Sequence, residues 1–173
     1  MSFNTDKIVK SVTTFNNTRL DYLKDITVID LFLEKVNTVP NNTAVVYKSK
    51  TLSYKQLNDL SNQFANYLNH NHKIVDGDFI GLMLNKSEWL IVAILGILKT
   101  GAAYVPIDVD YPEHRKTYIK NDSHCKTIVN DALVTNFITN LSGISTNLVN
   151  IPILDSKSLI YIIYTSGTTG SPK

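Results

Sequence analysis

The sequence predicts an α/β fold, a largely parallel sheet flanked by helices, on three observations. Short β-branched and aromatic runs alternate with stretches of helical periodicity along the chain. That alternation is the pattern of strands connected through helices rather than of an all-β or all-α domain. Neither an internal repeat nor a linker divides the 173 residues, and 43% hydrophobic against 18% charged residues is enough to bury a core.

The elements follow in order. Residues 26–36 carry apolar side chains at Val28, Ile29, Leu31, Phe32, Leu33 and Val36. Their spacing predicts a helix, ended by Val39-Pro40. Ala44 to Tyr47 reads as a short strand, and Lys48-Ser49-Lys50 turns the chain back into Thr51-Leu52. Ser53 then caps a helix, with Gln56 three residues later completing a capping box. Its apolar face is Leu57, Leu60, Phe64, Ala65 and Leu68.

Asp76-Gly77-Asp78 predicts a turn into a strand over residues 79–84. Ser87 is the expected cap of a helix over 88–99, and Thr100-Gly101 closes it with glycine in the left-handed position. Tyr104 to Ile107 extends again, with Pro106 marking an edge or a strand end. Pro112 suits the first helical position of a segment running to about Asn121. Residues 127–129 read as a strand, 132–141 as a short helix, and 136–150 as a polar surface connection. The apolar run Leu159-Ile160-Tyr161-Ile162-Ile163 predicts a buried strand.

Composition excludes several function classes. A net charge of +2 with scattered lysines predicts a solvated surface, with neither nucleic acid nor membrane as partner. The N-terminus shows no basic region followed by an apolar core, and the most apolar helical stretch is about half of a membrane span. A single cysteine, Cys125, precludes an internal disulfide framework and suits a reducing cytoplasm; it is expected half-buried at a strand start. The four histidines have no metal-ligand spacing and no assignable carboxylate partner, so no metal site is expected.

The chemistry concentrates in the last ten residues, Tyr164-Thr165-Ser166-Gly167-Thr168-Thr169-Gly170-Ser171-Pro172-Lys173. A strand that breaks into hydroxyls and two glycines can fold its N–H groups and Ser/Thr hydroxyls around phosphate oxygens. A Walker loop needs four residues between its glycines and a hydroxyl residue after the lysine. Here two residues separate Gly167 from Gly170, and the Walker pattern fails.

This ten-residue string resembles the phosphate-loop signature of adenylate-forming enzymes. Two further stretches resemble the adenylation domains of non-ribosomal peptide synthetases in particular. One is Leu98-Lys99-Thr100-Gly101-Ala102-Ala103-Tyr104-Val105-Pro106-Ile107-Asp108, followed by Tyr111-Pro112-Glu113-His114-Arg115. The other is Thr51-Leu52-Ser53-Tyr54-Lys55-Gln56-Leu57-Asn58, which departs from the family pattern at Ser53 and Gln56. Phe15-Asn16-Asn17-Thr18 is similar to the approach into such a domain from upstream. Read from the residues themselves, the two internal stretches are expected to do structural work first, with direct substrate contact as the alternative. Ser53, Gln56 and Leu57 start and dock a helix, and Gly101, Ala102 and Ala103 allow close helix–strand packing.

The resemblance implies that residues 1–14 are an extension or linker. Residues 15–173 are then the N-terminal portion of the large domain of an adenylation enzyme, truncated within the phosphate-binding loop. It implies ATP-dependent activation of an amino acid as aminoacyl-AMP with release of pyrophosphate, then transfer to the phosphopantetheine thiol of a carrier-protein domain. Thr165, Ser166, Gly167, Thr168, Thr169, Gly170 and Lys173 are the expected ATP phosphate contacts. The catalytic residues and the ligand for Mg2+ are expected C-terminal to this chain, so the chain alone is expected to be inactive. The remainder of the adenylation domain, a carrier domain and a condensation domain are the partners implied. A fatty- or aryl-acid ligase and a non-catalytic docking fragment are the alternatives.

Overall fold

The computed structural model describes residues 15–18, 20, 24–149, 152 and 154–165. Two capping boxes each start a helix. Thr27 Oγ1 accepts from the Asp30 N–H at 3.1 Å, and the Asp30 carboxylate accepts from the Thr27 N–H at 2.9 Å. The helix they open, α1, spans Val28–Thr38. A hairpin of β1 (Thr43–Tyr47) and β2 (Lys50–Ser53) follows, closed by Lys48 at φ +53°. Ser53 and Gln56 then form the predicted box, at 3.2 and 2.9 Å, and open α2 (Tyr54–His72). Ser53→Ala removes one half of this box and is expected to destabilise the fold by about 1 kcal/mol, read from the shift in a urea melt.

The central sheet is parallel. Strands β3 (Phe79–Leu82), β4 (Ala103–Pro106) and β5 (Thr127–Val129) lie in the order β4-β3-β5. Helix α3 (Glu88–Lys99) joins β3 to β4, and α4 (Glu113–Asp122) joins β4 to β5. Helix α5 (Asp131–Thr139) follows β5, capped by the Asn130 side chain, and leads into a short 3-10 turn at Leu141–Gly143. Beyond β4, Tyr161 pairs in parallel with Tyr104 as a single bridge.

Alternation along the strands divides the core in two, as a parallel sheet covered on both faces requires. Ile80, Leu82 and Val129 point into the larger cluster, which contains Ile29, Leu57, Phe64, Leu68, Val92, Ile97 and Phe137. Val105, Ile107 and Ile119 form the smaller one, with Phe79, Met83, Ile128, Ile162 and Tyr164 packed around them. Helix α4 therefore covers one face, while α1, α2, α3 and α5 cover the other.

Two glycines fix close contacts. A Cβ on Gly96 would lie 2.7 Å from Phe64 Cδ1 and 3.2 Å from the Ser61 carbonyl, so α2 and α3 meet there with no room for a side chain. Gly101 ends α3 at φ +84°, as predicted, and a Cβ there would meet Asp76 Oδ1 at 2.7 Å. With Ala102 and Ala103 both buried, this stretch does the packing work its small residues suggested.

Four expectations need correction. Pro112 occupies the N-cap and not the first helical position: at ψ 145° its carbonyl accepts from the Arg115 and Lys116 N–H groups. Ser87 holds the cap position of α3 without a side-chain cap bond. The run at residues 159–163 is not a buried strand: Leu159 is 60%, Tyr161 50% and Ile163 56% exposed. It lies outside β4, bridged to that strand at Tyr161, with only Ile162 of its side chains packed into the smaller cluster. Finally, one lysine is not on a solvated surface. Lys99 is 2% exposed, and its Nζ donates to Asn58 Oδ1, Ser61 Oγ and Asn62 Oδ1 at 2.7–2.8 Å and to the Asn58 carbonyl at 3.3 Å.

Candidate functional site

Parallel pairing dictates where the ten-residue string begins. The Tyr104 N–H donates to the Ile160 carbonyl and the Ile162 N–H to the Tyr104 carbonyl, both at 3.0 Å. The segment thus runs in the same direction as β4, β3 and β5. Ligands of open parallel sheets bind at the carboxyl ends of the strands, where loops converge. From Tyr161 the described residues 162–165 continue in that direction. Thr165 is exposed, immediately after Tyr164, the last of the described side chains packed on the core. Of the predicted phosphate contacts, Ser166, Gly167, Thr168, Thr169, Gly170 and Lys173 lie outside the described residues.

Tyr164, which opens the string, is held by Tyr118 and Asp122, two residues that no local pattern singles out. Tyr164 sits half-buried against the smaller core cluster, and its ring meets that of Tyr118 edge-on, with centroids 6.4 Å apart and planes at 90°. Its hydroxyl donates to Asp122 Oδ2 at 2.5 Å. Burial pushes the Tyr164 phenol well above its ordinary pKa, and the hydrogen bond to Asp122 with its negative charge pushes it further. Tyr164 therefore stays protonated and remains a donor. On the neighbouring strand position, Tyr104 packs 5.8 Å from the Tyr161 ring; burial raises its phenol as well, and Tyr161 adds to the effect.

A shallow cavity of about 270 Å³ opens beside the strand ends, lined by Met83, Ile107, Glu113, Lys116, Ile128 and Asn130. A larger one, about 470 Å³, lies at the C-terminal end of α2, among Asn66, Tyr67, Asn69, His70 and Lys73. The larger cavity holds none of the residues that the motifs single out. Position relative to the strands, not volume, favours the strand-end region. Arg115, within the second motif, stacks its guanidinium on Tyr111 at 4.1 Å and so braces the turn into α4. Among the described residues no group of three or more His, Cys, Asp or Glu side chains is placed to hold a metal ion. No helix among them is long and apolar enough to cross a membrane.

Comparison with known proteins agrees with this architecture. The chain is 40% identical to bacitracin synthase 3 of Bacillus licheniformis over 92% of its own length and 3% of that protein's. It is 38% identical to gramicidin S synthase 1 of Brevibacillus brevis over 91% of its length, equal to 16% of that protein. The chain thus spans a small part of the curated relatives it matches. The N-terminal subdomain of Klebsiella oxytoca NpsA, solved with 3-hydroxybenzoyl-AMSN, superposes with a TM-score of 0.76 at 24% identity, over 90% of this chain and 42% of that one. The non-ribosomal peptide synthetase FmoA3 superposes with a TM-score of 0.78 at 22% identity, over 91% of this chain and 18% of that one. Residues 32–173 match the AMP-binding enzyme family, and the chain belongs to that family.

Proposed function

We propose that this chain is the N-terminal portion of a peptide-synthetase adenylation domain. The complete domain uses ATP to convert an amino acid to its aminoacyl adenylate and passes it to the phosphopantetheine thiol of a carrier-protein domain. The observation that carries this reading is the sequence from Tyr164 to Lys173, which follows directly on a segment bridged in parallel to β4 at Tyr161. The resemblance of this chain to bacitracin and gramicidin synthases over nearly its whole length supports amino acids as the substrate class.

In the first step the substrate carboxylate attacks the α-phosphorus of ATP. The bond from that phosphorus to the bridging oxygen breaks, and pyrophosphate leaves with the electron pair. Negative charge gathers on the β- and γ-phosphates. Donors preorganised around those oxygens lower the barrier. Hydroxyls of Thr165, Ser166, Thr168 and Thr169, with backbone N–H groups around Gly167 and Gly170, suit that task. Lys173 adds a point charge. The exposed Thr165 hydroxyl at the strand end fits a phosphate oxygen by its chemistry. Mg2+, when bound, neutralises phosphate charge; its protein ligand belongs to the part of the domain beyond this chain.

The test is ATP–pyrophosphate exchange by the complete protein across the twenty amino acids. One amino acid is expected to drive exchange, and Thr168→Val is expected to lower kcat/KM by about tenfold to a hundredfold through loss of a donor. Lys173→Ala is expected to cost less. Acyl-CoA formation from a fatty or aryl acid, without amino-acid-dependent exchange, would instead identify a stand-alone acid ligase.

A further inference from the structure

We propose that Asp122 is a positioning residue for the phosphate loop: its carboxylate, at the end of α4, anchors the Tyr164 hydroxyl and sets where Thr165 and the residues after it begin. This rests on the adenylation reading above for its functional consequence, and on geometry for the anchor itself.

Three features point to it. The backbone ladder that holds this segment to β4 ends at the Ile162 N–H. Beyond that bond, the next described fixed point is the side chain of Tyr164, two residues further on and directly before Thr165. Its ring is wedged against Tyr118, and its hydroxyl reaches Asp122 across 42 residues of sequence. An O–H donor to an ionised carboxylate is among the stronger hydrogen bonds available to a protein, and a short one fixes direction as well as distance. Moreover, Asp122 is the last residue of α4. A negative charge at a helix C-terminus opposes the macrodipole. A carboxylate there runs against the local preference of the helix, and the contact it gains is the one to the loop root.

The consequence is positional. Tyr164 touches neither nucleotide nor amino acid in this reading; it holds the loop donors in register with the phosphates. Errors of about an ångström in placing reacting groups cost on the order of a hundredfold in rate. Loss of the anchor should therefore weaken ATP use selectively and leave the amino-acid side of the site alone.

The experiment compares the complete wild-type protein with Tyr164→Phe, Asp122→Ala, Asp122→Asn and the Tyr164→Phe/Asp122→Ala double variant. Tyr164→Phe keeps the ring and its packing, so the fold is retained. Two readouts are used: hydrogen exchange of the peptide spanning residues 165–173, followed by mass spectrometry, and KM for ATP against KM for the amino acid. Tyr164→Phe and Asp122→Ala are expected to speed exchange in the loop peptide but not in β3 or β4, and to raise KM for ATP by about tenfold. KM for the amino acid should stay within about twofold. Asp122→Asn keeps an acceptor and should restore most of the ATP affinity. The double variant should be no worse than either single one, because both remove the same contact. Unchanged loop exchange in Tyr164→Phe and Asp122→Ala would overturn the anchor. Faster loop exchange with unaltered KM for ATP would overturn its positioning role, as would equal changes in both KM values. If the wild type shows no amino-acid-dependent pyrophosphate exchange, the adenylation reading fails, while the hydrogen-exchange comparison still decides the anchor.

Discussion

Phe64→Ala is expected to lower the unfolding free energy of the domain by about 3–5 kcal/mol. Phe64 is 1% exposed and joins three elements of the larger core cluster. From α2 its ring meets Phe137 of α5 edge-on, with centroids 4.9 Å apart and planes at 84°. Phe137 in turn meets Trp89 of α3 at 6.1 Å. On its other side Phe64 fills the space that Gly96 leaves open. Removing the ring forfeits its transfer energy and opens a cavity. Helices held together at Gly96 and over the sheet can collapse into it only in part. Urea denaturation of the complete domain reads the effect; a loss below about 1.5 kcal/mol would mean that the cluster repacks around the hole.

Lys99→Met is expected to cost about 2–4 kcal/mol, and the cost should depend on pH. Methionine matches the stem of the lysine, so most of the packing survives. What disappears is the donor shared by Asn58, Ser61 and Asn62, which ties the end of α3 to α2. Ser61 is fully buried, so its hydroxyl would keep its own donation to the Asn58 carbonyl while losing the donor to its oxygen. Burial also pushes the Lys99 amine from 10.5 down to about 7, with the Asp59 charge opposing it. A base whose pKa is lower folded than unfolded binds more protons in the unfolded chain throughout that interval. The contribution of Lys99 to stability therefore rises as pH climbs from about 7 to 10.5 and levels off beyond. Below about 7 the ammonium is present in both states, and the full cost of burying it is felt. The stability gap between wild type and Lys99→Met should accordingly widen with rising pH. Denaturant melts at several pH values measure it, and a gap that narrows on going alkaline would contradict the assignment.

Local patterns reported the elements well where the signal was itself local. The Ser53–Gln56 box, the apolar stripe of α2 and the left-handed Gly101 each depend on neighbours within a turn, and each stands where the spacing put it. Pro112 went to the cap instead of the first turn because its extended ψ lets one carbonyl serve two N–H groups of α4. The misreading of Lys99 has a different origin. Scattered lysines normally reach solvent, and nothing near residue 99 announces three acceptors waiting on a helix some forty positions earlier. The run at 159–163 has the composition of an interior strand, whereas burial depends on what lies across each face and edge.

The sequence by itself determined the alternation of strands and helices, the parallel class of the sheet and the family. These follow from periodicity, capping and a dense motif, all readable over short windows. Only the tertiary structure decided the strand order β4-β3-β5, the meeting of α2 and α3 at Gly96, the burial of Lys99 and the hold of Asp122 on Tyr164. Each of these joins residues that are distant along the chain, and such contacts are chosen by the packing of whole elements. No local preference encodes them, and in the case of Asp122 the local preference of the helix points the other way.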